Sequence, residues 1–530
     1  DVRLHAAFRR IDAPLVDAPR PFELAIARGR HELRVADSPL VLRFALRPGG
    51  VFVAHERDSP DVLYRVERER GYVPCVEDLY SPGYFAVDLE RERPVTFVAS
   101  TQGWEACAAV DGPEAVEAEC RRVDRLVSIA APAAREGFAA TLVQAADQFI
   151  VLPGSRLEES VIAEASGHQV RTVIAGYHWF GDWGRDTMIS LDGLTLATGR
   201  QREAGAILRT FAQYVRDGLL PNLFPEGERE ALYHTVDATF WFFHALDRYV
   251  AASGDDAILG ELMPVLADVV EHHVRGTRFG IGMDPADGLM RAGAPGYQLT
   301  WMDAKVDDWV VTPRRGKPVE IQALWHNALA LMAQWSERLG LAADAYRERA
   351  AAVRDAFNAR FWDDERGHLA DVIDGEYGDD ASFRPNQLFA VSLRHPVLDP
   401  RRWQAVVDAV AARLLTPYGL RTLSADHPDY KPNYHGDLRT RDAAYHQGTV
   451  WPWLIGHFVD AWLRVYDDPA RARAMLDGFR GHLGDAGLGT ISEIFDAEPP
   501  FAPRGCIAQA WSVAEVLRAW VRTAPAGPAQ

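Results

Sequence analysis

Residues 318–340 read PVEIQALWHNALALMAQWSERLG. A helix built from this stretch carries apolar side chains on nearly every face, so it is predicted to be buried on both sides. Residues 200–217 and 343–361 have a different pattern, because each places one apolar stripe opposite a charged face. The first pattern is typical of an inner helix of a layered bundle, and the second is typical of an outer helix.

Helical patterns continue on both sides of this stretch. From about residue 138, helices are predicted over 138–150, 186–198, 200–217, 236–253, 257–276, 318–339, 343–361, 385–393, 400–414, 447–465, 469–485 and 506–523. Every second connection is only a few residues long, whereas several of the others are long. Antiparallel helices joined in this way place the long connections at one end. Six such pairs closed into a ring predict an (α/α)6 barrel.

The first part of the chain has a different period. Alternating apolar residues and Pro-Gly breaks predict an antiparallel β-sandwich over residues 1–112. A charged helical linker is predicted over 113–137, the (α/α)6 barrel over 138–524 and a short tail over 525–530. The predicted fold class is therefore mainly α, with an (α/α)6 barrel preceded by a β-sandwich domain.

Composition excludes several classes of protein. The net charge is −18 without a cluster of Lys and Arg, which argues against a nucleic-acid partner. No apolar run is long enough for a membrane span, and no secretory leader opens the chain. The four cysteines predict reduced thiols and a cytoplasmic location, with one disulfide inside the first 120 residues as the alternative. No phosphate loop, dinucleotide fingerprint, zinc spacing or EF-hand occurs, so neither a metal nor a cofactor is expected.

Five segments combine aromatic and acidic residues. The first, 176–187, reads GYHWFGDWGRDT, and the others span 221–225, 300–304, 446–453 and 491–496. All lie in or beside long connections, which would gather them at one end of the barrel. Aromatic faces stack on sugar rings and charged forks hold hydroxyl groups. The candidate substrate-binding residues are Asp182, Trp183, Arg185, Asp186, Trp301, His446, Gln447 and Trp451.

Two carboxylates are candidates for catalysis. Cleavage of a glycosidic bond needs one acid for the leaving oxygen and a second carboxylate that acts on water or on the anomeric carbon. Asp303 follows Trp301 and Met302, an apolar setting that favours a raised pKa and a general acid. Glu493 follows a Gly-rich turn and suits a general base. Asp307, Asp308 and Asp496 in the same loops are competing candidates.

Four ordered motifs carry a family resemblance. They are GDWGRDT at 181–187, TWMDA at 300–304, QGTVWPW at 447–453, and SEIFD at 492–496 with PRGCIAQAWS at 503–512. Over about 140–523 the chain resembles the amylo-α-1,6-glucosidase part of glycogen debranching enzymes, in its stand-alone prokaryotic form. The resemblance implies an inverting mechanism, with Asp303 as general acid and Glu493 as general base.

The resemblance also implies how the site holds its substrate. Asp182, Arg185 and Asp186 would grip the non-reducing glucose, with walls formed by Trp183, Trp301 and Trp451. The chain has no room for a transferase domain, so a separate glucanotransferase would act upstream on the α-glucan substrate.

The expected function is removal of single α-1,6-linked glucosyl residues from debranched glycogen or branched maltooligosaccharides. Three alternatives stay open at this point: another exo-acting α-glucosidase of glucoamylase or trehalase type, a disaccharide phosphorylase, and a non-catalytic glucan-binding protein.

Overall fold

A computed structural model describes residues 1–8, 21–36, 38–69, 71, 74–91, 93–109, 111–153, 170–225 and 230–525. The chain divides into two compact units. Unit 1 comprises Asp1–Arg125 with His435–Asp437, and unit 2 comprises Leu126–Tyr434 with Leu438–Gln530. All of the predicted tail except Pro525 lies outside the described residues.

Unit 1 is rich in β-structure. Its strands are β1 (Val2–Arg3), β2 (Phe22–Ala27), β3 (Arg30–Val35), β4 (Val41–Arg47), β5 (Val51–Leu63), β6 (Val76–Ala86) and β7 (Thr96–Ser100). They form two antiparallel sheets in the orders β2-β3-β4-β7 and β1-β6-β5. Aromatic side chains link the sheets, since the ring centroids of Phe44 and Phe85 are 6.1 Å apart. Helix α1 (Arg65–Glu69) lies between β5 and β6, whereas α2 (Trp104–Ala108) and α3 (Gly112–Ile129) follow β7, and α3 crosses the boundary at Arg125.

Unit 2 is mainly helical. Its α-helices are α4 (Gly137–Phe149), α5 (Gly184–Leu191), α6 (Gln201–Gln213), α7 (Asp237–Ser253), α8 (Asp256–Arg275), α9 (Val319–Arg338), α10 (Asp344–Arg360), α11 (Phe389–Ser392), α12 (Trp403–Arg413), α13 (Leu438–Tyr445), α14 (Leu454–Tyr466), α15 (Pro469–Ala474), α16 (Gly478–His482) and α17 (Ala510–Arg522). A π-helical turn, Asp192–Leu196, extends α5, and 3-10 turns occupy Pro132–Ala134, Arg278–Gly280, Pro385–Leu388 and Pro400–Arg402.

Short strands connect these helices. They are β8 (Ile150–Val151), β9 (Thr172–Val173), β10 (Gly176–Tyr177), β11 (Asp182–Trp183), β12 (Leu223–Phe224), β13 (Gly282–Met283), β14 (Met290–Arg291), β15 (Lys305–Val306), β16 (Trp309–Val310), β17 (Lys317–Pro318), β18 (Trp362–Asp363), β19 (His368–Leu369), β20 (Val372–Ile373), β21 (Leu415–Thr416), β22 (Gly419–Arg421), β23 (Val450–Trp451), β24 (Ile494–Phe495), β25 (Pro503–Arg504) and β26 (Ala508–Gln509).

The helices α5, α7, α9, α11, α14 and α17 contact one another in cyclic order within the described part of unit 2, and α17 contacts α5. Burial follows the sequence pattern. In α9, Trp325 and Leu329 are fully buried, and almost the whole helix is covered. In α10, only Ala350, Val353 and Phe357 are buried. Helix α9 is therefore an inner helix and α10 an outer one, as their apolar patterns predict.

The predicted start of the helix at 447 is wrong. Helix α14 begins at Leu454, because residues 450–451 pair as strand β23 in a five-stranded sheet of order β21-β22-β23-β24-β25. In that sheet Val450 lies opposite Phe495, which joins two of the aromatic and acidic segments. Residues 438–445, which lie outside the predicted helices, form helix α13. No helix among the described residues is both long and apolar enough to cross a bilayer.

Candidate active site

The first segment places two charges at the start of a buried helix. Strand β11 pairs with β12, so that Asp182 lies opposite Phe224 of the second segment. Helix α5 begins directly after β11, and its first turn contains Arg185 and Asp186. Both side chains are buried although both are ionisable. A buried charge needs a partner of opposite sign.

Arg185 receives such partners from two distant parts of the chain. Its Nε donates to Asp237 Oδ1 and Oδ2 at 2.8 and 3.0 Å. Its Nη1 donates to Asp303 Oδ2 at 3.1 Å. Asp237 is the first residue of α7 and is fully buried, so it fixes the guanidinium firmly. The first and third segments therefore meet at Arg185.

Asp303 is the fourth residue of the third segment. Trp301 and Met302 before it are buried, whereas the Asp303 side chain is 34% exposed. Burial raises the pKa of the Asp303 carboxyl, and Arg185 partly opposes that rise. The apolar setting predicted from the sequence is present. A carboxyl in this state holds its proton at higher pH than an ordinary aspartate.

Glu493 lies in a different environment. Its side chain is buried, its Oε1 accepts a hydrogen bond from the Tyr445 hydroxyl, and its Oε2 accepts one from the Cys506 N–H at 2.8 Å. Burial raises the pKa of Glu493 to about 7, although both hydrogen bonds lower it. Gly505 has a φ of +64°, and a Cβ there would lie 2.2 Å from Glu493 Oε2. Only glycine fits beside this carboxylate.

Asp186 is affected by the charges of both Asp303 and Glu493. Burial raises the pKa of Asp186 to about 8, against the opposing charge of Arg185. The negative charges of Asp303 and Glu493 add to the rise. The side-chain amide of Gln509 donates to Asp186 Oδ1 at 3.4 Å. The two proposed catalytic carboxyls therefore share one cluster, although they lie 190 residues apart in the sequence.

The competing carboxylates have other environments. Asp307 and Asp308 are exposed in the turn between β15 and β16. Asp496 accepts hydrogen bonds from the Arg504 guanidinium at 2.9 Å and from the Tyr434 N–H at 2.8 Å. These contacts give Asp496 a structural role within the five-stranded sheet.

The aromatic candidates differ in exposure. Trp301 and Trp451 are buried and cross each other edge to face, with ring centroids 5.4 Å apart. The indole N–H of Trp301 donates to Asn386 Oδ1 at 2.8 Å. Trp183 is only partly buried and packs edge to face on Phe180. Of the three predicted walls, Trp183 keeps the most ring surface exposed.

The structure places His446 and Gln447 among buried supporting groups. His446 is fully buried and stacks on Trp451 with ring centroids 5.3 Å apart. The Gln447 Oε1 accepts from Arg384 at 2.8 Å, and its Nε2 donates to the Val311 carbonyl at 3.0 Å. Both ends of the Gln447 amide are thus engaged by the protein.

Sequence reasoning missed several residues of this cluster. Asp237, Tyr445 and Gln509 each hold one of its charged groups. Tyr445 directly precedes the fourth segment, which is a signal that could have drawn attention to it. Within the described ranges, no group of three or more His, Cys, Asp or Glu residues is arranged to hold a metal ion.

Comparison with known proteins identifies the family. Residues 144–518 match the family model described as amylo-alpha-1,6-glucosidase. The glycogen debranching enzyme of Saccharomyces cerevisiae is 25% identical over 431 residues, which are 64% of this chain. The match spans only 28% of the length of that enzyme.

Solved structures show a similar fold at low sequence identity. A bacterial glucoamylase complexed with acarbose has a TM-score of 0.62 at 13% identity, with 95% of this chain and 74% of that chain covered. The GH63 mannosylglycerate hydrolase from Thermus thermophilus, complexed with Tris and D-glycerate, has a TM-score of 0.50 at 14% identity, with 72% and 99% covered. Because the family model covers most of the chain, the protein belongs to the amylo-alpha-1,6-glucosidase family of glycoside hydrolases.

Proposed function

We propose that this glycoside hydrolase removes single α-1,6-linked glucosyl residues from debranched glycogen or branched maltooligosaccharides, with inversion at the anomeric carbon. The observation that supports this most strongly is the shared cluster of Asp303 and Glu493 around Asp186. The cyclic contacts of the inner helices support an (α/α)6 barrel, and the two linked sheets of unit 1 support a β-sandwich.

In the proposed mechanism, the two carboxyls differ in protonation. Asp303 is protonated at the start and gives its proton to the leaving oxygen. Arg185 Nη1, 3.1 Å from Asp303 Oδ2, then stabilises the carboxylate that forms. Glu493 is ionised and takes a proton from the attacking water. The hydrogen bonds from Tyr445 and Cys506 favour the ionised form.

The first segment supplies the proposed sugar contacts. Asp182, Arg185 and Asp186 bind hydroxyl groups of the non-reducing glucose, and Trp183 offers a ring face to it. Trp301 and Trp451 form the rigid wall. Since the Gln447 amide is occupied at both ends, we assign Gln447 and the buried His446 to holding that wall in place.

A separate partner is part of this proposal. A distinct glucanotransferase would shorten each branch to the single glucosyl stub that this enzyme removes. The four free thiols support a cytoplasmic location, where glycogen is stored.

The test is a product assay with wild-type protein. A maltooligosaccharide with one α-1,6-glucosyl branch is incubated with the enzyme, and NMR records the anomer released before mutarotation. We expect β-glucose, no requirement for inorganic phosphate, and slower release from maltose and trehalose. Initial release of α-glucose would contradict inversion. A phosphate requirement would instead indicate a phosphorylase, and preference for maltose or trehalose would exclude the α-1,6 assignment.

A further inference from the structure

Helix α13 (Leu438–Tyr445) presents one row of side chains to the catalytic cluster. Arg439, Asp442 and Tyr445 are spaced three residues apart, so they lie along one side of the helix. Tyr445 donates its hydroxyl to Glu493, which fixes that end of the row at the proposed base. The other end lies beside the chain that leaves Asp303.

That chain forms a hairpin against the same helix. Strands β15 and β16 follow Asp303 directly and pair with each other, and α13 contacts β15. The Arg439 guanidinium lies 4.7 Å from the ring centroid of Trp309 on this hairpin. Trp309 is only partly buried, so part of its side chain is exposed on the hairpin that follows the proposed acid.

On helix α13, Asp442 lies between Arg439, which contacts Trp309, and Tyr445, which contacts Glu493. Its side chain is partly buried, and it forms no hydrogen bond or ion pair with any residue that the structure describes. Burial raises the pKa of Asp442 to about 6, Arg441 opposes the rise, and the nearby charge of Asp303 adds to it. Asp442 also raises the pKa of Glu493. A partly buried carboxylate without a protein partner is costly unless a ligand supplies hydrogen bonds.

We infer that Asp442 and the exposed part of Trp309 bind the sugar that leaves, on the side of the site where Asp303 gives up its proton. The general acid contacts the glycosidic oxygen, which is the atom that joins the glucose to the leaving group. We therefore place the hairpin that follows Asp303, and helix α13 against it, on the side of the leaving group. Asp442 accepts hydrogen bonds from hydroxyls of that sugar, and Trp309 provides an apolar platform for its ring. This inference rests on the proposed function and assigns the residues that contact the leaving sugar.

The test compares leaving groups. α-Glucosyl fluoride carries the same glucose but no leaving sugar, so Asp442→Ala should affect it little. We expect kcat/KM for the branched maltooligosaccharide to fall about 10- to 100-fold and kcat/KM for the fluoride to change less than about threefold. Asp442→Asn keeps one acceptor oxygen and should recover part of the loss. Rates are taken at the pH optimum of each variant, because Asp442 also acts on the charge of Glu493.

Trp309→Ala separates stacking from hydrogen bonding. It should raise KM for the oligosaccharide about 3- to 10-fold and for p-nitrophenyl α-glucoside similarly, since an aromatic leaving group also stacks. Asp442→Ala should leave KM for p-nitrophenyl α-glucoside unchanged, because that leaving group lacks sugar hydroxyls. Glu348→Gln, an exposed change on α10, is the matched control and should alter none of these values.

Two outcomes would overturn the inference. Equal losses on oligosaccharide and fluoride would show that Asp442 acts on the catalytic carboxyls, and unchanged rates on both would show that it does not contact the leaving sugar. Failure of the proposed function would be seen in the substrate preference of the wild-type enzyme. In that case the wild-type enzyme would prefer another glucoside, and the comparison with the fluoride would be made on that substrate.

Discussion

Two buried clusters in unit 2 both consist of arginine and acidic side chains, but they differ in the ratio of guanidinium to carboxyl groups. In the first, Arg314 binds Glu320 and Asp371 through donors that include Nη2–Oε2 at 2.6 Å and Nε–Oδ2 at 2.8 Å. Arg384 lies 3.7 Å from Asp371, so two guanidinium groups face two carboxylates. The side chains of these four residues are at most 4% exposed.

In the second cluster, which surrounds Arg185 and contains the proposed catalytic carboxyls, the charges do not balance. Arg185 is the guanidinium that ion-pairs with Asp237 and Asp303, while Asp186 and Glu493 lie nearby without an ion pair among the described residues. Burial raises the pKa of Asp186 and of Glu493, and the charges of nearby carboxyl groups add to both rises. A balanced buried cluster stabilises one conformation, whereas an unbalanced one keeps carboxyls that can exchange protons near neutral pH.

The largest expected effect lies in the unbalanced cluster. Glu493→Gln removes the proposed base and should lower kcat about 10²- to 10⁴-fold on both branched oligosaccharide and α-glucosyl fluoride. Asp303→Asn should lower activity by a similar factor on the oligosaccharide but retain most activity on the fluoride, because fluoride leaves without a full proton transfer. Steady-state kinetics on both substrates checks this. If both variants keep oligosaccharide activity, neither residue is catalytic.

The same Glu493→Gln variant also tests the unbalanced charge through the stability of the fold. The folded pKa of Glu493 is about 7, above the ordinary glutamate value of 4.5, so ionisation of Glu493 lowers the stability of the wild type as pH rises through this window. The variant should match the wild type near pH 4.5 and exceed its free energy of unfolding at pH 8. Urea unfolding at both pH values measures this, and a less stable variant at pH 8 would contradict it.

Next in size is an effect in the balanced cluster. Arg314→Leu leaves Glu320 and Asp371 buried without their main cation and should lower the free energy of unfolding by about 3–5 kcal/mol. Arg401→Leu is the matched control, because Arg401 pairs with Asp399 at 2.6 Å but is 88% exposed, and it should cause no measurable change. Urea unfolding at pH 7 compares them. Equal stability of the two variants would refute the view that the balanced cluster holds the fold.

The smallest expected effect concerns Tyr445. Its hydroxyl favours the ionised form of Glu493, so Tyr445→Phe should raise the pKa of that base. The acid limb of the kcat/KM profile should move to higher pH, and activity at the optimum should fall about tenfold or less. The pH profile on branched oligosaccharide measures the shift. A limb that stays in place or moves to lower pH would exclude Tyr445 as a positioning residue for Glu493.

Sequence patterns were most informative where local periodicity reports burial. The inner position of α9 and the outer position of α10 both follow from the distribution of apolar residues around each helix. The pattern failed at α13, because this eight-residue helix mixes buried alanines with charged side chains and shows no apolar stripe. It also failed at residues 447–453, where pairing with distant strands prevents the helix from starting before Leu454.

The helical periodicity, the ordered motifs and hence the family could all be read from the amino-acid sequence, which also indicated Asp303 and Glu493 among several acidic residues. The partner of each carboxylate, by contrast, became clear only from the fold. Asp496 is paired with Arg504, Asp303 is held by an arginine 118 residues away, and Glu493 is held by a hydroxyl and a backbone N–H. Such partners depend on how distant segments pack, whereas periodicity reports only the neighbours along one element.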